Sequence, residues 1–404
     1  MSIPRPSRRA WWLLLLLFGI GLLNYLDRQT LSILKATLKV ELALTDIHYS
    51  WLVTAFMAPY ILFYVVSGRL VDRFGTRRSL SAFVGIWSVA NILCGCAQNL
   101  AQLAGARALL GAAEPGAFPA IQRVMMTWFP PERRAFAWSL LSPCTTVGAI
   151  LAPPLVALLT TTWSWHWAFI LPGVVGCVLA AGWWLTDRNP PAASGAAEAE
   201  PAAVPLRTIL GDTRVWILLG ARAVTDPVWY FHLFWLPGYL QERIGVSLSQ
   251  LGWIGWIPSF VASLAVILTG RITDFFVARG RPPARVRVTM FALAAAFAPL
   301  GAFTTFAPSL LWALVLISAV AIICQIWFFG QGLLVADIFP RNSAATIAGL
   351  LGAVGASGGL LMNLVAGPLI QHIGYVPVFI GLACLHPLAA VLLWRTLPRL
   401  VRAA

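Results

Sequence analysis

The sequence predicts an all-α membrane protein, with twelve transmembrane helices arranged as two six-helix bundles related by pseudo-two-fold symmetry. Three observations support this fold class: an apolar composition, a series of apolar runs and an internal repeat. Of the 404 residues, 59% are hydrophobic and 10% are charged, and the mean hydropathy is +0.81. A soluble domain typically has about 25% charged residues, so this chain lacks the polar surface that a soluble fold requires.

Apolar runs of about 20 residues, the length of helix that crosses the hydrocarbon core, recur along the whole chain. The first run is an uncleaved helix rather than a secretion signal, because no small-residue cleavage site follows it. The approximate cores of the predicted spans are 11–34, 49–68, 79–98, 101–124, 134–160, 165–186, 213–240, 250–270, 287–306, 309–335, 343–369 and 375–397.

A stretch rich in Pro and Ala divides the runs into two groups of six. The stretch DRNPPAASGAAEAEPAAVP has the composition of a flexible linker. We therefore predict an N-terminal bundle at 1–188, a cytoplasmic linker at 189–210 and a C-terminal bundle at 211–404. The halves also share a motif after their second helix, GRLVDRFGTRR from Gly68 and GRITDFFVARG from Gly270. Internal duplication of this kind is typical of secondary transporters.

Basic residues outnumber acidic ones, with 28 Lys and Arg against 14 Asp and Glu and a net charge of +14. Most of them fall in loops on one side of the predicted membrane, whereas Lys35, Lys39 and Arg243 fall on the other. The positive-inside rule assigns the basic side to the cytoplasm. We therefore expect a multi-pass protein of the cell inner (plasma) membrane with both termini in the cytoplasm, and no nucleic acid as a partner.

Charged residues within the predicted spans mark a candidate site, because a charge at that depth normally faces a protein interior or a water-filled cavity. Guanidinium groups bind carboxylates in a two-point fork, and a carboxyl group in surroundings of low dielectric can load and release a proton. The set therefore predicts a site for an anion and for protons. Its members are Asp27, Arg28, Arg107, Glu114, Arg222 and Asp226.

Helix geometry constrains how these residues pair. Asp27 and Arg28 diverge by about 100° around the helix, so they are expected to face different partners. Arg107 and Glu114 are two turns apart and share one face, but they are too far apart for a direct salt bridge. Two alternatives stay open: Asp27 and Arg28 form an ion pair near the outer headgroups, with Arg28 snorkelling, or Arg107 and Glu114 belong to a network that only locks helix 4 to helix 1.

Several motifs resemble those of the major facilitator superfamily, and in particular its anion:cation symporters. The twelve spans, the central linker and GRLVDRFGTRR carry the resemblance to the superfamily; NYLDRQTLS in helix 1, RALLGAAEPGAFPA in helix 4, GAILAPPLV in helix 5 and TDPVWYFHLFWLP in helix 7 carry it to the symporters. The helix 7 string is most similar to the hexuronate transporter branch. The resemblance implies the major facilitator fold, with Asp27 and Glu114 as proton-coupling residues and Arg28 and Arg107 as substrate-binding cations.

Further substrate-binding residues are predicted from residue type and from the resemblance. Tyr60 stands where the family has a helix 2 tyrosine, and Gln325 and Trp327 match a Gln-x-Trp pattern of the hexuronate branch. Aromatic faces such as Trp229 suit sugar rings, although packing is the alternative role. His232 replaces a tyrosine that is typical of relatives, which leaves the identity of the sugar acid open. The full set is Tyr60, Tyr64, Ser142, Trp229, His232, Gln325 and Trp327.

Gating residues are implied by the same resemblance, in which the loop after helix 2 acts as a latch when the cytoplasmic side is shut. Asp72 would then meet the end of a helix in the second half, whereas solvated loop charges are the alternative. For Asp226, which lies at i,i+4 from Arg222 beside a proline, we favour a structural or gating role over direct coupling. The set is Gly68, Asp72, Arg73, Gly75, Arg77, Asp226, Gly270 and Asp274.

These observations together predict a proton-coupled symporter that imports an organic carboxylate, a hexuronate or a related sugar acid, by alternating access. The alternatives are an anion exchanger of the organophosphate:phosphate type and a drug:proton antiporter. We expect no enzyme activity, because the sequence shows no nucleophile–base set, metal-ligand spacing or phosphate-cradling loop. We expect a monomer with no cofactor or metal, whose partners are a small organic anion, the lipid bilayer and H⁺ as the coupling ion. The particular sugar acid, the number of protons and the choice between Na⁺ and H⁺ stay open.

Overall fold

A computed structural model describes residues 7–129, 137–187 and 204–401, apart from the side chains of residues 65, 72, 341, 342, 344, 345 and 397–401. Within these residues the first seven helices are α1 (Arg8–Ile33), α2 (Lys35–Glu41), α3 (Asp46–Gly95), α4 (Leu100–Ala113), α5 (Ala117–Trp128), α6 (Pro143–Thr162) and α7 (Trp167–Thr186). The later helices are α8 (Leu206–Leu210), α9 (Thr213–Glu242), α10 (Leu248–Ile254), α11 (Ile257–Ala278), α12 (Pro283–Ala296), α13 (Leu310–Ile338), α14 (Arg341–His372), α15 (Tyr375–Ala383) and α16 (Leu385–Val401). Two 3₁₀ turns, Glu114–Gly116 and Ala298–Phe306, connect neighbouring helices.

Nine helical segments of the described residues are each long and apolar enough to cross a membrane. Three predicted spans fall outside this set, although each of them is helical: 49–68 in α3, 101–124 and 213–240. The 3₁₀ turn at Glu114–Gly116 divides 101–124 into two short helices, and 213–240 carries Arg214, Arg222 and Asp226. Two of these three spans therefore carry buried charges, Arg107 and Glu114 in one and Arg222 and Asp226 in the other, whereas 49–68 contains no charged residue.

Helix α3 consists of two consecutive helices that meet at Gly75. The φ of 77° and ψ of 167° at Gly75 are not helical. Glycine reaches positive φ without the steric cost that a Cβ imposes, so this residue separates the second predicted span from the third.

The chain forms two compact units. Unit 1 contains the described residues of Met1–Ala197 together with Leu240–Trp256, and unit 2 contains those of Glu198–Tyr239 and Ile257–Ala404. Of the predicted linker 189–210, residues up to 203 lie outside the described part of the chain, and Leu206–Leu210 form α8. The side chain of Ile209 is 3% exposed and packs in the core of unit 2 with Leu218, Leu334 and Leu393.

Four ionised side chains tie Leu240–Trp256 to the rest of unit 1. Lys35, which is 0% exposed, has its Nζ 2.7 Å from Asp46 Oδ1 and 3.1 Å from Glu242 Oε2. Lys39 Nζ lies 3.1 Å from Asp46 Oδ2 and 3.2 Å from Glu242 Oε1. Burial raises the pKa of Asp46, which precedes the second predicted span, but the two lysines lower it, and the net direction is below its ordinary value.

Close backbone contacts join α4 to α3 and α6 to α1 in unit 1. A Cβ on Gly111 of α4 would lie 2.0 Å from the main-chain oxygen of Phe56 on α3. A Cβ on Gly148 of α6 would lie 2.5 Å from the main-chain oxygen of Leu22 on α1. Both positions need glycine because the neighbouring atom is backbone, which cannot move aside as a flexible side chain does.

The contact at Gly111 predicts a stability difference between two glycines of α4. We expect Gly111→Ala to lower the thermal midpoint, because the added methyl overpacks the α3–α4 contact, at a cost of about 1–3 kcal/mol. Gly105 is the matched control, since a Cβ there meets no atom within 4 Å. Gly105→Ala should be neutral or stabilising, because alanine is the better helix former. Thermal unfolding of the purified variants in one detergent measures both, and equal midpoints would contradict the prediction.

Candidate functional site

The candidate site lies inside unit 1, where α1, α4 and the turn that follows α4 contribute four charged side chains. The residues Asp27, Arg28, Arg107 and Glu114 are 1%, 7%, 0% and 0% exposed. Ionised groups at such depth need partners, since an isolated buried charge is very costly. The partners of each group therefore indicate what the site does.

Asp27 and Arg28 face different partners, as their adjacent positions on α1 predict. The Nδ2 of Asn91, in the second half of α3, donates a hydrogen bond of 2.9 Å to Asp27 Oδ1. Arg28 Nη2 lies 2.9 Å from Glu114 Oε2. The alternative in which Arg28 snorkels to the headgroups beside Asp27 is wrong, because its guanidinium is buried and paired with Glu114.

Glu114, the partner of Arg28, lies where the regular α-helix is interrupted. Helix α4 ends at Ala113, and Glu114, Pro115 and Gly116 form a 3₁₀ turn before α5 begins. Proline lacks the amide hydrogen that a continuous helix would need, so the sequence itself interrupts the span here. The resulting ion pair links α1 to the turn after α4. It is one contact of the predicted network that locks helix 4 to helix 1.

Arg107 is the exception among the four, because it has no direct polar partner within the described residues. Its Nε, Nη1 and Nη2 are all buried without a hydrogen bond. Its guanidinium lies over the ring of Phe56, 4.5 Å from the centroid, and it acts electrostatically on Asp27 and Glu114. A buried cation with unsatisfied donors is suited to receive an anion.

Aromatic rings surround the two guanidinium groups. Arg28 lies 4.8 Å from the ring centroid of Tyr60 and 5.6 Å from that of Phe56, so Phe56 contacts both arginines. Such cation–π contacts stabilise a desolvated cation without using its donors. Tyr60 is buried, and its ring lies 6.0 Å from that of Tyr64, which is half-buried. The structure therefore brings Tyr60 to Arg28, as the substrate-site prediction requires.

Two residues of this site are absent from the sequence prediction, Asn91 and Phe56. Asn91 is an amide in the apolar string WSVANILCG, and a single polar side chain inside a span is a signal that could have drawn attention to it. Phe56 carries no such signal, because the chain contains 22 phenylalanines.

Ser142, which is predicted to bind substrate, is exposed and donates to the main-chain oxygen of Ser139 at 3.4 Å.

The predicted substrate residues of unit 2 differ in their surroundings. Trp229 and Gln325 are half-buried, and His232 Nδ1 lies 2.7 Å from the main-chain oxygen of Val228. Trp327 is 1% exposed and stacks on Phe291 in the core of unit 2, with ring centroids 4.8 Å apart. Trp327 therefore packs in the core of unit 2, where the ring on α12 covers one of its faces, and its role in substrate binding stays a prediction.

Arg222 and Asp226 close on each other in unit 2. Arg222 Nε lies 2.8 Å from Asp226 Oδ2, and Arg222 Nη1 donates to the main-chain oxygen of Phe328 at 3.0 Å. A Cβ on Gly355 of α14 would lie 1.9 Å from Asp226 Oδ2, so the pair packs tightly against α14. This placement supports the structural role that the i,i+4 spacing indicates.

The motif after the second predicted span is fastened within unit 1. Arg77 Nε donates to the main-chain oxygen of Trp184 at 2.8 Å, and its guanidinium lies 4.3 Å from the centroid of the Trp184 ring. Arg73 is exposed and lies over Phe74, 5.3 Å from the ring centroid. Together with the turn at Gly75, these contacts attach the motif to the end of α7.

The remaining gating predictions stay predictions. The side chain of Asp72 lies outside the described residues, and Asp274 is exposed. A Cβ on either Gly68 or Gly270 would meet no atom within 4 Å. The two glycines thus share open surroundings at corresponding positions of the repeated motif.

The described residues combine membrane-spanning helices with a cluster of buried ionised groups, in which one cation has no hydrogen-bond partner for its donors. This combination is typical of a polytopic membrane transporter. Residues 17–362 match the family model described as Major Facilitator Superfamily. The chain therefore belongs to the major facilitator superfamily. This confirms the predicted family and fold class, and it confirms a transporter rather than an enzyme.

Comparison with individual proteins agrees with this assignment. The chain is 27% identical to the D-galactonate transporter of Escherichia coli O6:H1, over 97% of each chain. It is 28% identical to the hexuronate transporter of Escherichia coli K12, over 97% of this chain and 95% of the relative. A bacterial homologue of the human lysosomal transporter Spinster matches with a TM-score of 0.75 and 22% identity, covering 99% of this chain and 98% of that one. At that identity the structural match shows the fold alone.

The unequal partners of the two arginines predict opposite effects of removing them. We expect Arg107→Met to leave the thermal midpoint of the ligand-free protein unchanged or higher, because a buried unpaired charge is removed and no hydrogen bond is lost. Arg28→Met should lower it, because Glu114 loses its partner, a change that costs about 3–5 kcal/mol at buried pairs. Thermal unfolding in detergent measures both. A larger destabilisation from Arg107→Met than from Arg28→Met would show that Arg107 is paired.

Proposed function

We propose that the protein is a proton-coupled symporter that imports a sugar acid by alternating access. The observation that carries the proposal is the buried guanidinium of Arg107, which has no hydrogen-bond partner in the described residues, beside the Arg28–Glu114 ion pair. The names of the relatives, a D-galactonate transporter and a hexuronate transporter, support a sugar acid as the substrate.

The anion binds first to Arg107 in this mechanism. A carboxylate accepts two parallel hydrogen bonds from one guanidinium, which fits the unsatisfied donors of Arg107. The rings of Phe56 and Tyr60 lie beside the two cations and offer an apolar face and a phenolic hydroxyl to a polyhydroxylated chain or ring. A sugar acid combines these two requirements, a carboxylate at one end and hydroxyl-bearing carbons at the other.

Glu114 couples the anion to a proton by competing for Arg28. In the structure the carboxylate of Glu114 occupies Arg28 at 2.9 Å. Protonation removes the charge of Glu114 and weakens this bond, since a charge-assisted hydrogen bond is roughly twice as strong as a neutral one. Arg28 is then available to the substrate carboxylate. Because linkage is reciprocal, bound substrate must favour protonation of Glu114 to the same extent.

Asp27 supplies a second proton in the proposal. Moving one negative charge into a cytoplasm that is electrically negative costs about 2.3 kcal/mol per 100 mV. One proton cancels this cost for a monoanion, and a second makes each import step electrogenic and accumulative. An anion exchanger needs no such carboxyl pair, so the two buried acids favour symport over exchange.

Proteoliposomes test the substrate class and the coupling together. With a pH-sensitive dye inside, we expect D-galactonate or D-glucuronate added outside to acidify the lumen, whereas D-glucose and glucose 6-phosphate should not. Protein-free liposomes are the control for passive leakage of the acids. Transport of glucose 6-phosphate without proton movement would contradict the proposal and favour the exchanger.

Glu114 provides a test of the coupling step. We expect Glu114→Gln to abolish accumulation driven by a pH gradient, because the side chain is neutral in every step, while exchange of labelled for unlabelled substrate continues. The matched control is Glu41→Gln, since Glu41 is exposed at the end of α2, and it should keep accumulation within about two-fold of the parent. Accumulation by the Glu114→Gln variant at the parental level would rule out Glu114 as the coupling residue.

A further inference from the structure

The second half of α3 carries a buried amide that contacts one of the proton-coupling candidates. Asn91 is 0% exposed, and its Nδ2 donates to two acceptors, Asp27 Oδ1 at 2.9 Å and the main-chain oxygen of Phe169 at 3.0 Å. We propose that Asn91 is the positioning residue that holds Asp27 in place in both of its protonation states. The inference rests on the proposed role of Asp27 in proton coupling.

Backbone contacts between α3 and α7 fix the position of this amide. On one side of Asn91, a Cβ on Gly173 would lie 2.7 Å from the main-chain oxygen of Ser88. On the other side, a Cβ on Gly95 would lie 2.7 Å from the main-chain oxygen of His166. The two helices therefore touch both before and after Asn91, and the bond to Phe169 anchors the side chain to α7. These contacts fix the position of the Asn91 side chain, and its hydrogen bond in turn positions Asp27.

The unused atom of the amide suggests how the second protonation state is accommodated. Asn91 Oδ1 is buried and has no hydrogen-bond partner in the described residues. A buried acceptor without a donor costs free energy, and a protonated Asp27 would present one. The proton binds to the other carboxyl oxygen of Asp27, Oδ2, and the new O–H donates to Asn91 Oδ1 while Nδ2 keeps its bonds to Asp27 Oδ1 and to Phe169. The amide thereby donates to the carboxylate and accepts from the carboxylic acid.

Other groups also act on Asp27, so the contribution of Asn91 has to be separated from theirs. Glu114 and Arg107 act on Asp27 through their charges, and the thiol of Cys94 lies within electrostatic range of it. Asn91 differs from Glu114 and Arg107 because it is neutral, and from all three because it is directly hydrogen-bonded to Asp27. A variant that removes only the amide therefore leaves the charges around Asp27 unchanged, and Asn91→Leu is such a variant because leucine is close in shape and has no donor.

Infrared titration of the purified protein in lipid tests the inference without requiring transport. The carboxyl band that disappears in Asp27→Asn reports the protonation of Asp27. We expect Asn91→Leu to move the midpoint of this band to higher pH by about one unit, because the charge-assisted hydrogen bond that the carboxylate loses is roughly twice as strong as the neutral one that the acid loses. We expect Asn91→Asp, which keeps the shape, to replace the single step with two coupled steps, since two adjacent carboxyl groups share a proton.

Asn363 provides the structural control, because it is a buried asparagine of unit 2 that accepts from Trp235 Nε1 and donates to the main-chain oxygen of Gly359. Asn363→Leu should lower the thermal midpoint but leave the Asp27 band where it is. An unchanged band in Asn91→Leu, with Asp27 titrating in the parent, would overturn the positioning role and leave the proposed function standing. If Asn91→Leu does not fold, a single parental step in Asn91→Asp overturns the role. If no band depends on Asp27, both the inference and the proposed proton role of Asp27 fail, whereas Glu114 coupling is unaffected.

Discussion

The need to neutralise ionised groups away from water is the constraint on which this structure depends. The candidate site in unit 1 buries two acids and two arginines, and the partners are unequal: Glu114 has Arg28, Asp27 has Asn91, and Arg107 has, within the described residues, the ring of Phe56 but no hydrogen-bond partner. A transporter needs this inequality. If every charge were satisfied internally, the substrate would gain nothing by binding, because each new contact would replace one of equal strength.

The close helix contacts follow from the same constraint. Short charge–charge and amide–carboxylate distances require backbones that approach closely and do not shift, and glycines provide that approach at Gly111, Gly148 and Gly173. The regular helix is interrupted at Glu114–Gly116, and the acid that pairs with Arg28 lies at the first residue of this interruption. Rigid packing therefore holds the groups, and the pairing lies at a local break in a helix.

Much of the fold was predictable from the sequence because apolar length, loop charge and the repeated motif are local patterns. The six intramembrane charges were predictable for the same reason, since their cost makes any occurrence informative. The pairing was not, because it depends on which helices touch: nothing in the spacing joins Arg28 to Glu114 or Asn91 to Asp27. For Trp327 the motif match predicts a substrate contact, whereas its packing on the ring of Phe291 in the core of unit 2 was not predictable from the sequence.

The two acids of unit 1 differ in a way that bears on mechanism. Glu114 is held by Arg28, and in the proposed mechanism an incoming carboxylate uses the same cation, so that its proton and the substrate are linked through one shared partner. Asp27 is held by a neutral amide that is itself anchored to α7, so its hydrogen bond does not depend on where the substrate carboxylate lies. Proteins give two carboxyl groups different roles by placing them in different surroundings. In the proposed mechanism Glu114 responds to the substrate through Arg28, whereas Asp27 responds to the proton concentration on the side to which the site is open and, through the charge of Arg107, to the bound anion.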